Sequence, residues 1–506
     1  MSKLGYRNTT FHNITGKRNS SRGILIVLAL GMAAASLHAQ TYQQLAVFNG
    51  TDGNSPQAPV VQGTDGNLYG TTKSGGIGDC PGNCGTIFRM TPGGQLTTVY
   101  EFCKKGGVCT DGYYPVAALM LAKNGDFYGT TSQGGNIPKG DSGVPSGTVF
   151  RITSAGAFQQ LYSFCKTWPC PDGAVPMAAL IQGTNGNFYG TTYGGGANNN
   201  AGTVFELTPA GVLTTLYSFC SITNCLDGEL PTAGLVQGTD GNFYGTTQKG
   251  GLCLEDPCDP FEDGGTIFKI TPAGEYSVLY SFCSQTNCAD GANPSTPLIL
   301  GTDGNLYGTT KDGGGVTAGT IFKISPGGQF TQLVGSGFFY PEGLIQGTDG
   351  NFYGTEANGG AVNSGAVFQV TPAGNVTIEY SFCNCGADGE GPVAPVFQAT
   401  DGTFYGTTAG GFGTSSDGTV YSLSMGLVPF VQAIPSEGKV GSIVRIIGTE
   451  LAGVSGVTFN GVPAPFAFVS DTEIGAKVPK GATTGPIEVI VPSGKLSSNV
   501  AFQVIQ

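Results

Sequence analysis

Histidine is almost missing from this chain: only His12 and His38 occur in 506 residues, and both lie in an N-terminal segment that reads as removable. Charge is scarce as well, at 11% of residues against a usual figure of about 25%. Tryptophan occurs once, as Trp168. No apolar run approaches the roughly 20 residues that a membrane-spanning helix needs. The histidine shortage excludes a Ser-His-Asp triad, a histidine general base and histidine metal ligation in the processed chain.

The removable segment is residues 1–39. It carries Lys3, Arg7, Lys17, Arg18 and Arg22, then the apolar run Ile24 to Ala35, then small residues ending near Ala39, which is the pattern of a secretory signal peptide. No cysteine follows the run to take a lipid, and residues 502–506 show no anchor tail. The expectation is a secreted protein, extracellular or at the cell surface. Removing the five basic residues leaves 17 Lys and Arg against 34 Asp and Glu, a net charge of −17. That balance disfavours nucleic acid or an anionic membrane as partner, because phosphate neutralisation needs basic clusters.

Glycine, by contrast, is abundant at 86 residues. Each glycine in a helix interior costs about 1 kcal/mol relative to alanine, so this density argues for strands joined by tight turns. A hydrophobic content of 39% and an aromatic content of 10% exclude wholesale disorder. Between residues 41 and 426 one phrase, Tyr-Gly-Thr-Thr or a close variant, recurs at Tyr69, Tyr128, Tyr189, Tyr244, Tyr307, Tyr353 and Tyr405. Its spacings of 59, 61, 55, 63, 46 and 52 residues lie in the range of four-stranded propeller blades. In the first copy Ala58 to Gln62 reads as a strand, Asp65-Gly66 as a hairpin turn and Leu68 to Thr72 as the returning strand. Gly85 to Phe88 opens a third strand, and Thr91 to Gly94 turns it into the fourth, Leu96 to Phe102. The equivalent turns are Asn124-Gly125, Asn185-Gly186, Asp240-Gly241, Asp303-Gly304, Asp349-Gly350 and Asp401-Gly402.

The fourth-strand phrase is missing after the seventh copy and stands instead at Tyr42 to Phe48. An N-terminal strand that completes the last blade removes the exposed edges of an open array. The predicted fold is therefore all-β: a seven-bladed β-propeller over residues 40–426, closed by the N-terminal strand. A β-helix is the alternative, but its coils are much shorter than these periods. The recurring Asp-Gly-x-x-Pro, Asp-Gly-Asn-Phe-Tyr-Gly-Thr-Thr, Gly-Thr-Val-Phe and Thr-Pro-Ala-Gly phrases resemble the GloVer tandem repeat of secreted bacterial proteins. The resemblance implies export, a varying choice of surface anchor and no established activity.

From about Leu427 cysteine and tyrosine disappear and short β-branched runs alternate with Gly and Pro turns. Eighty residues, 427–506, suit one small sandwich. The phrases Pro435 to Gly438, Ile447 to Leu451, Val457 to Gly461 and Val478-Pro479 resemble an IPT/TIG immunoglobulin-like domain, a kind that binds or spaces.

The fourteen cysteines form seven close couples: Cys80 with Cys84, Cys103 with Cys109, Cys165 with Cys170, Cys220 with Cys225, Cys253 with Cys258, Cys283 with Cys288, and Cys383 with Cys385. An even number in an exported chain implies disulfides. After the fourth strand a copy has two cysteines or none, a distribution that metal ligation gives no reason for.

Three groups of residues carry candidate chemistry. The seven repeated tyrosines could face a channel and stack on sugars, or pack between blades. The Asp-Gly-x-x-Pro carboxylates, Asp52, Asp111, Asp172, Asp227, Asp290 and Asp388, could bind calcium or act in pairs as acid and base, or cap their own turns. The loop Glu255, Asp256, Asp259, Glu262 and Asp263 could hold a hard cation, calcium, without EF-hand spacing, or be a solvated acidic loop. Trp168 is a further binding candidate, as an exposed sugar-stacking residue or a cover for its disulfide. Glu356 replaces the last Thr of the repeated phrase and merits a test, for example with Asp388. No cofactor beyond calcium is expected. The composition favours a non-enzymatic binding or structural protein that meets extracellular polysaccharide or a surface protein, over a carbohydrate-active hydrolase or lyase using rim carboxylates and tyrosine. The reading leans away from an enzyme, and the oligomeric state stays open.

Overall fold

The computed structural model describes residues 40–78, 83–104, 109–136, 146–252, 264–314, 319–383, 388–410 and 417–505. They are all-β: among the described residues there is no α-helix, only single 3-10 turns at Thr223–Cys225 and Thr286–Cys288. No helix among them is long and apolar enough to cross a membrane. The segment 1–39 lies outside the described residues.

Each repeat folds as an antiparallel meander. In the first, Val61–Gln62, Leu68–Thr72, Thr86–Met90 and Leu96–Glu101 pair in chain order. The first strand begins at Val61 and not at Ala58 as expected, and it is equally short, Met120–Leu121 and Ile181–Gln182, in the repeats that have alanine at the position of Pro59. The second, third and fourth repeats give the same four-stranded order. In the last repeat, Phe397–Gln398, Phe404–Thr408 and Thr419–Ser424 are joined on their outer edge by the N-terminal strand Thr41–Val47, with Thr41 opposite Ser424 and Val47 opposite Thr419.

One departure from four strands per repeat occurs between the fifth and sixth copies. The outer strand of one and the inner strand of the next run together as Phe330–Gln346, giving a seven-stranded sheet. Both the cysteine pair and the Asp-Gly turn are missing from this link, and extended backbone continues through Phe338 and Phe339.

Neighbouring repeats are joined by one hydrogen bond used over and over. The third residue of Tyr-Gly-Thr-Thr donates to a carbonyl of the next repeat: Thr71 to Ala117, Thr130 to Ala178, Thr191 to Ala233, and so on to Thr355 with Ala394. Thr407 of the last repeat donates in the same way to Ala58 of the first, at 3.2 Å. The core lies between sheets, where five of the repeated tyrosines meet a phenylalanine of the next repeat, Tyr69 and Phe127 with centroids 4.3 Å apart and Tyr189 and Phe243 4.1 Å among them, while Tyr244 packs with Leu306 and Tyr405 with Leu68.

Because the strands alternate in direction, the Asp-Gly and Thr-Pro turns share one side of the sheets, called here the hairpin side. The cysteine loops and the loops after Tyr-Gly-Thr-Thr share the other, the loop side.

The C-terminal residues form two small sheets. One runs in the order Gln432–Ile434, Ile443–Ile447, Glu473–Lys477, Phe466–Ser470; the other Val462–Pro463, Gly456–Phe459, Ile487–Val491, Gly494–Ser497. Val444, Ile446, Val457, Phe459, Ile474 and Val489 fill the space between, the two-sheet packing of an immunoglobulin-like module. This module touches the hairpin side: Thr472 Oγ1 donates to the Thr64 carbonyl at 2.7 Å, and Phe430 N to that of Thr400 at 2.9 Å. A cleft of about 230 Å³ between Asp65, Asp401, Thr449 and Thr472 remains there. A Cβ on Gly66 would lie 2.7 Å from Thr472, and one on Gly125 3.2 Å from the Arg445 guanidinium, whereas Gly186, Gly241, Gly304 and Gly350 have nothing within 4 Å. The module therefore covers the turns of the seventh, first and second repeats and leaves the other four open.

Candidate functional site

The repeated polar residues are consumed by the scaffold. The tyrosines of the motif are buried, and their hydroxyls bond the hairpin turn of their own repeat: Tyr69 to Asp65 at 2.8 Å, Tyr244 to Asp240 at 2.7 Å and Tyr307 to Asp303 at 2.8 Å. Burial first, and then the adjacent carboxylate, pushes the phenols of Tyr69, Tyr244 and Tyr307 up, Tyr244 to about 12. They offer no stacking surface and no proton near neutrality.

The Asp-Gly-x-x-Pro carboxylates are likewise engaged. Asp111 accepts from Tyr100 Oη and the Cys103 amide, Asp172 from Tyr162 Oη, and Asp290 from Tyr280 Oη and the Ser284 amide. Asp227 accepts from Tyr217 Oη and the amides of Ser221 and Ile222; burial opposes its ionisation, but these bonds hold it below its ordinary range. Each ties a fourth strand to the loop that follows it. Asp52, in the cysteine-free link before the first copy, accepts from the Asn49 amide at 2.9 Å.

Those loops are closed by disulfides Cys103–Cys109, Cys165–Cys170, Cys220–Cys225 and Cys283–Cys288. Cys84 and Cys383 are disulfide-bonded too; Cys80 and Cys385, read as their partners, lie outside the described residues, as do Cys253, Cys258 and the acidic loop Glu255, Asp256, Asp259, Glu262 and Asp263. Trp168 is 68% exposed at the tip of its loop. Ala174 and Val175, not Trp168, pack on the buried Cys165–Cys170 pair.

Glu356 has a specific structural partner set. In six repeats the last Thr of the motif bonds the Thr of Gly-Thr-Val-Phe or its variant, Thr72 with Thr86 at 2.8 Å and Thr310 with Thr320 at 2.7 Å among them. In the sixth repeat Glu356 stands opposite Ala366, so both members of the pair have changed together. In five repeats the second Gly of the following Gly-Gly pair donates to a carbonyl of the preceding loop, as Gly135 N does to Cys109 and Gly196 N to Cys170, both at 2.9 Å. The sixth repeat lacks that loop, and Gly360 N donates instead to Glu356 Oε1 at 3.0 Å, while Phe339 N donates to Oε2 at 3.1 Å. The buried carboxylate stands in for the missing loop carbonyl. Burial pushes its carboxyl up, opposed by the two amide bonds. Asp388, its suggested catalytic companion, is buried against Tyr380 Oη and Cys383 N and shares no partner with it.

What remains outward on the loop side is the divergent part of the repeats. Phe339 and Tyr340, adjacent in the sixth copy, are 47% and 37% exposed. The Lys311 ammonium lies 5.3 Å from the centre of the Tyr340 ring. Next to them Glu342 is partly buried; burial pushes its carboxyl up to about 7 against the opposing pull of Lys311. The Asp-Gly-x-x-Pro set has six carboxylates for seven copies because the sixth copy has Phe338 and Phe339 ahead of Pro341 instead, and the sequence reading passed over Tyr340, Glu342 and Lys311. Aligning the copies on their prolines would have found Glu342, the one ionisable residue among Gln57, Val116, Met177, Thr232, Ser295, Glu342 and Val393.

Fold and site together define a repeat-built all-β protein with stapled loops and an immunoglobulin-like tail. The chain belongs to the Gloeobacter/Verrucomicrobia repeat family, whose model matches residues 31–198 and 259–421, and an IPT/TIG domain matches residues 429–504. No curated protein matches it in sequence. Among solved structures it is similar to the extracellular domain of a hybrid two-component system protein from B. thetaiotaomicron, at 13% identity and TM-score 0.48, over 92% of this chain and 54% of that one. The chain thus spans about half the length of that domain. A gluconolactonase candidate gives 12% identity and TM-score 0.37 over 78% of this chain and 94% of its own. A Bacteroides thetaiotaomicron protein of unknown function gives 12% and 0.37 over 71% and 84%.

Proposed function

We propose that this is an exported, non-enzymatic binding or structural protein whose loop side meets extracellular polysaccharide or a cell-surface partner. In this reading residues 1–39 are a cleaved signal peptide, and residues 40–426 are a seven-bladed propeller closed by the N-terminal strand. Residues 427–506 are a spacer or second binding module. Closure is supported by the Thr407 to Ala58 bond, which repeats between last and first copies the link made at every other junction. Export is supported by the disulfides, which persist in oxidising compartments.

The observation that carries the functional reading is the division of labour among residues. The tyrosines, threonines and aspartates that the copies share are spent on turn, loop and inter-sheet bonds, while the exposed aromatic residues of the repeats, Trp168, Phe339 and Tyr340, all lie where the copies differ. A scaffold needs no divergence to stand; a recognition surface does. The carboxylates Glu356 and Asp388 are occupied by amide and phenol donors and offer no acid and base pair to a hydrolase or lyase.

The test is a glycan array probed with the oxidised mature protein, with and without calcium, followed by product analysis of each hit. Binding without cleavage is expected. Cleaved product would replace this reading with the enzyme, and silence on every glycan would move the partner to a surface protein.

A further inference from the structure

Residues Phe339 to Glu342 depart together from what stability alone would select. Two aromatic side chains stand in solvent, although burying them would stabilise the fold. Tyr340 holds φ at 59°, the left-handed region that is an outlier for a bulky residue. Glu342 draws a carboxyl partly out of water, and no hydrogen bond reaches that carboxyl from a described residue. Local choices that disagree with the fold concentrate where function is being served.

The left-handed position is informative because all seven repeats have it before their proline, at Ser55, Tyr114, Val175, Leu230, Asn293, Tyr340 and Gly391. Outside the sixth copy its amide donates to a loop carbonyl of the neighbouring repeat, as Tyr114 N does to Cys84 and Val175 N to Ser146. That bond is made by backbone alone, so glycine would do the work without strain, as it does at 391. The side chain at 340 is therefore not there for the junction.

The sixth repeat also lacks a cysteine loop in front of its proline, and the chain runs on as the single strand Phe330–Gln346. Phe339 is fixed by the bond from its amide to Glu356, which makes Glu356 a positioning residue for the exposed pair. Lys311 lies beside both Tyr340 and Glu342 and offsets the carboxylate charge. Two partly exposed rings next to one acceptor and one ammonium donor match the C–H face and hydroxyl rim of a pyranose. They give no net charge to attract a polyanion.

We propose that Phe339, Tyr340, Glu342 and Lys311 form a saccharide-binding shelf on the loop side of the sixth repeat, which stacks a neutral hexose unit of a polysaccharide and accepts hydrogen bonds from its hydroxyls on Glu342. This rests on the polysaccharide arm of the function proposed above.

The experiment titrates the full mature, oxidised chain with cello-, manno-, malto- and laminarihexaose by calorimetry. Tyr340→Gly deletes the ring while relaxing the backbone. Its thermal midpoint should stay the same or rise, and its affinity for the hexaose that binds should fall tenfold or more. Tyr340→Phe should keep affinity within about threefold, and Glu342→Gln should lower it about fivefold. Tyr114→Gly, the same change in the second repeat, should leave it within twofold. Binding that neither Tyr340→Gly nor Glu342→Gln alters overturns the shelf and leaves the polysaccharide reading standing. If the wild-type chain binds none of the four sugars, the shelf for a neutral hexose falls, and the polysaccharide reading falls with it only if the glycan array is silent as well.

Discussion

Replacing Glu356 by alanine tests the claim that its carboxylate substitutes for a missing loop. The substitution leaves the amides of Phe339 and Gly360 without their acceptor, and each orphaned buried amide costs about 1–3 kcal/mol. Removing a carboxyl that burial already disfavours returns part of this, so a net loss of about 2–4 kcal/mol is expected in the local stability of the sixth repeat. The direct assay is amide hydrogen exchange. At a loss of 2 kcal/mol, Phe339 and Gly360 should exchange about 30-fold faster if they exchange by local opening, while the equivalent Gly196 should not change. Glu356→Gln keeps one acceptor oxygen and should cost about half as much. Glu356→Thr with Ala366→Thr rebuilds the pair found in six other repeats, yet leaves Gly360 N without an acceptor, so it should recover only part of the loss. Acceleration below threefold in Glu356→Ala would refute the substitution argument and return Glu356 to the list of residues free for chemistry.

Gly112→Ala should destabilise by several kcal/mol, because its Cβ would fall 2.0 Å from Thr131 Oγ1 at φ +90°; Gly241→Ala, with φ +78° and nothing within 4 Å, should cost about 1 kcal/mol by denaturant titration. Opening Cys220–Cys225 with a Cys220→Ser, Cys225→Ser pair should cost about 2 kcal/mol on the chain-entropy model, and a melt as stable as wild type would count against it. Glu342 binds its proton more tightly in the folded state, at about 7 against an ordinary 4.5, so its stabilising effect is full below pH 4.5 and is lost as the pH rises to 7. The ceiling is about 3 kcal/mol, and the difference in unfolding free energy between pH 4.5 and 8 should shrink in Glu342→Gln; an identical pH dependence would contradict the assignment. Thr472→Arg should push the C-terminal module off Gly66, raising exchange at residues 62–67 and 399–402 but not at 240–242.

What the sequence determined by itself was local. Asp-Gly and Asn-Gly turns, period-two runs and paired cysteines act within a few residues, so the strands, the hairpins and four of the disulfides could be read directly from residue order. The repeat also announced that one unit is copied, and hence that the units must bury one another's faces. Tertiary structure decided everything that depends on which residues meet across sheets. The motif tyrosine has the chemistry of a binding residue, and only its place between neighbouring sheets makes it core. Glu356 looks like a departure in search of a reaction; that its oxygens replace the loop carbonyl that Gly360 bonds in other copies follows from a contact between Phe339, Glu356 and Gly360 that no turn rule encodes. The merger of two repeats at Phe330–Gln346, and the docking of the C-terminal module over three hairpin turns while four stay open, rest on the same cause. Local propensity fixes conformation over a few residues, whereas burial and hydrogen-bond satisfaction are settled only by the atoms that fold in from far along the chain.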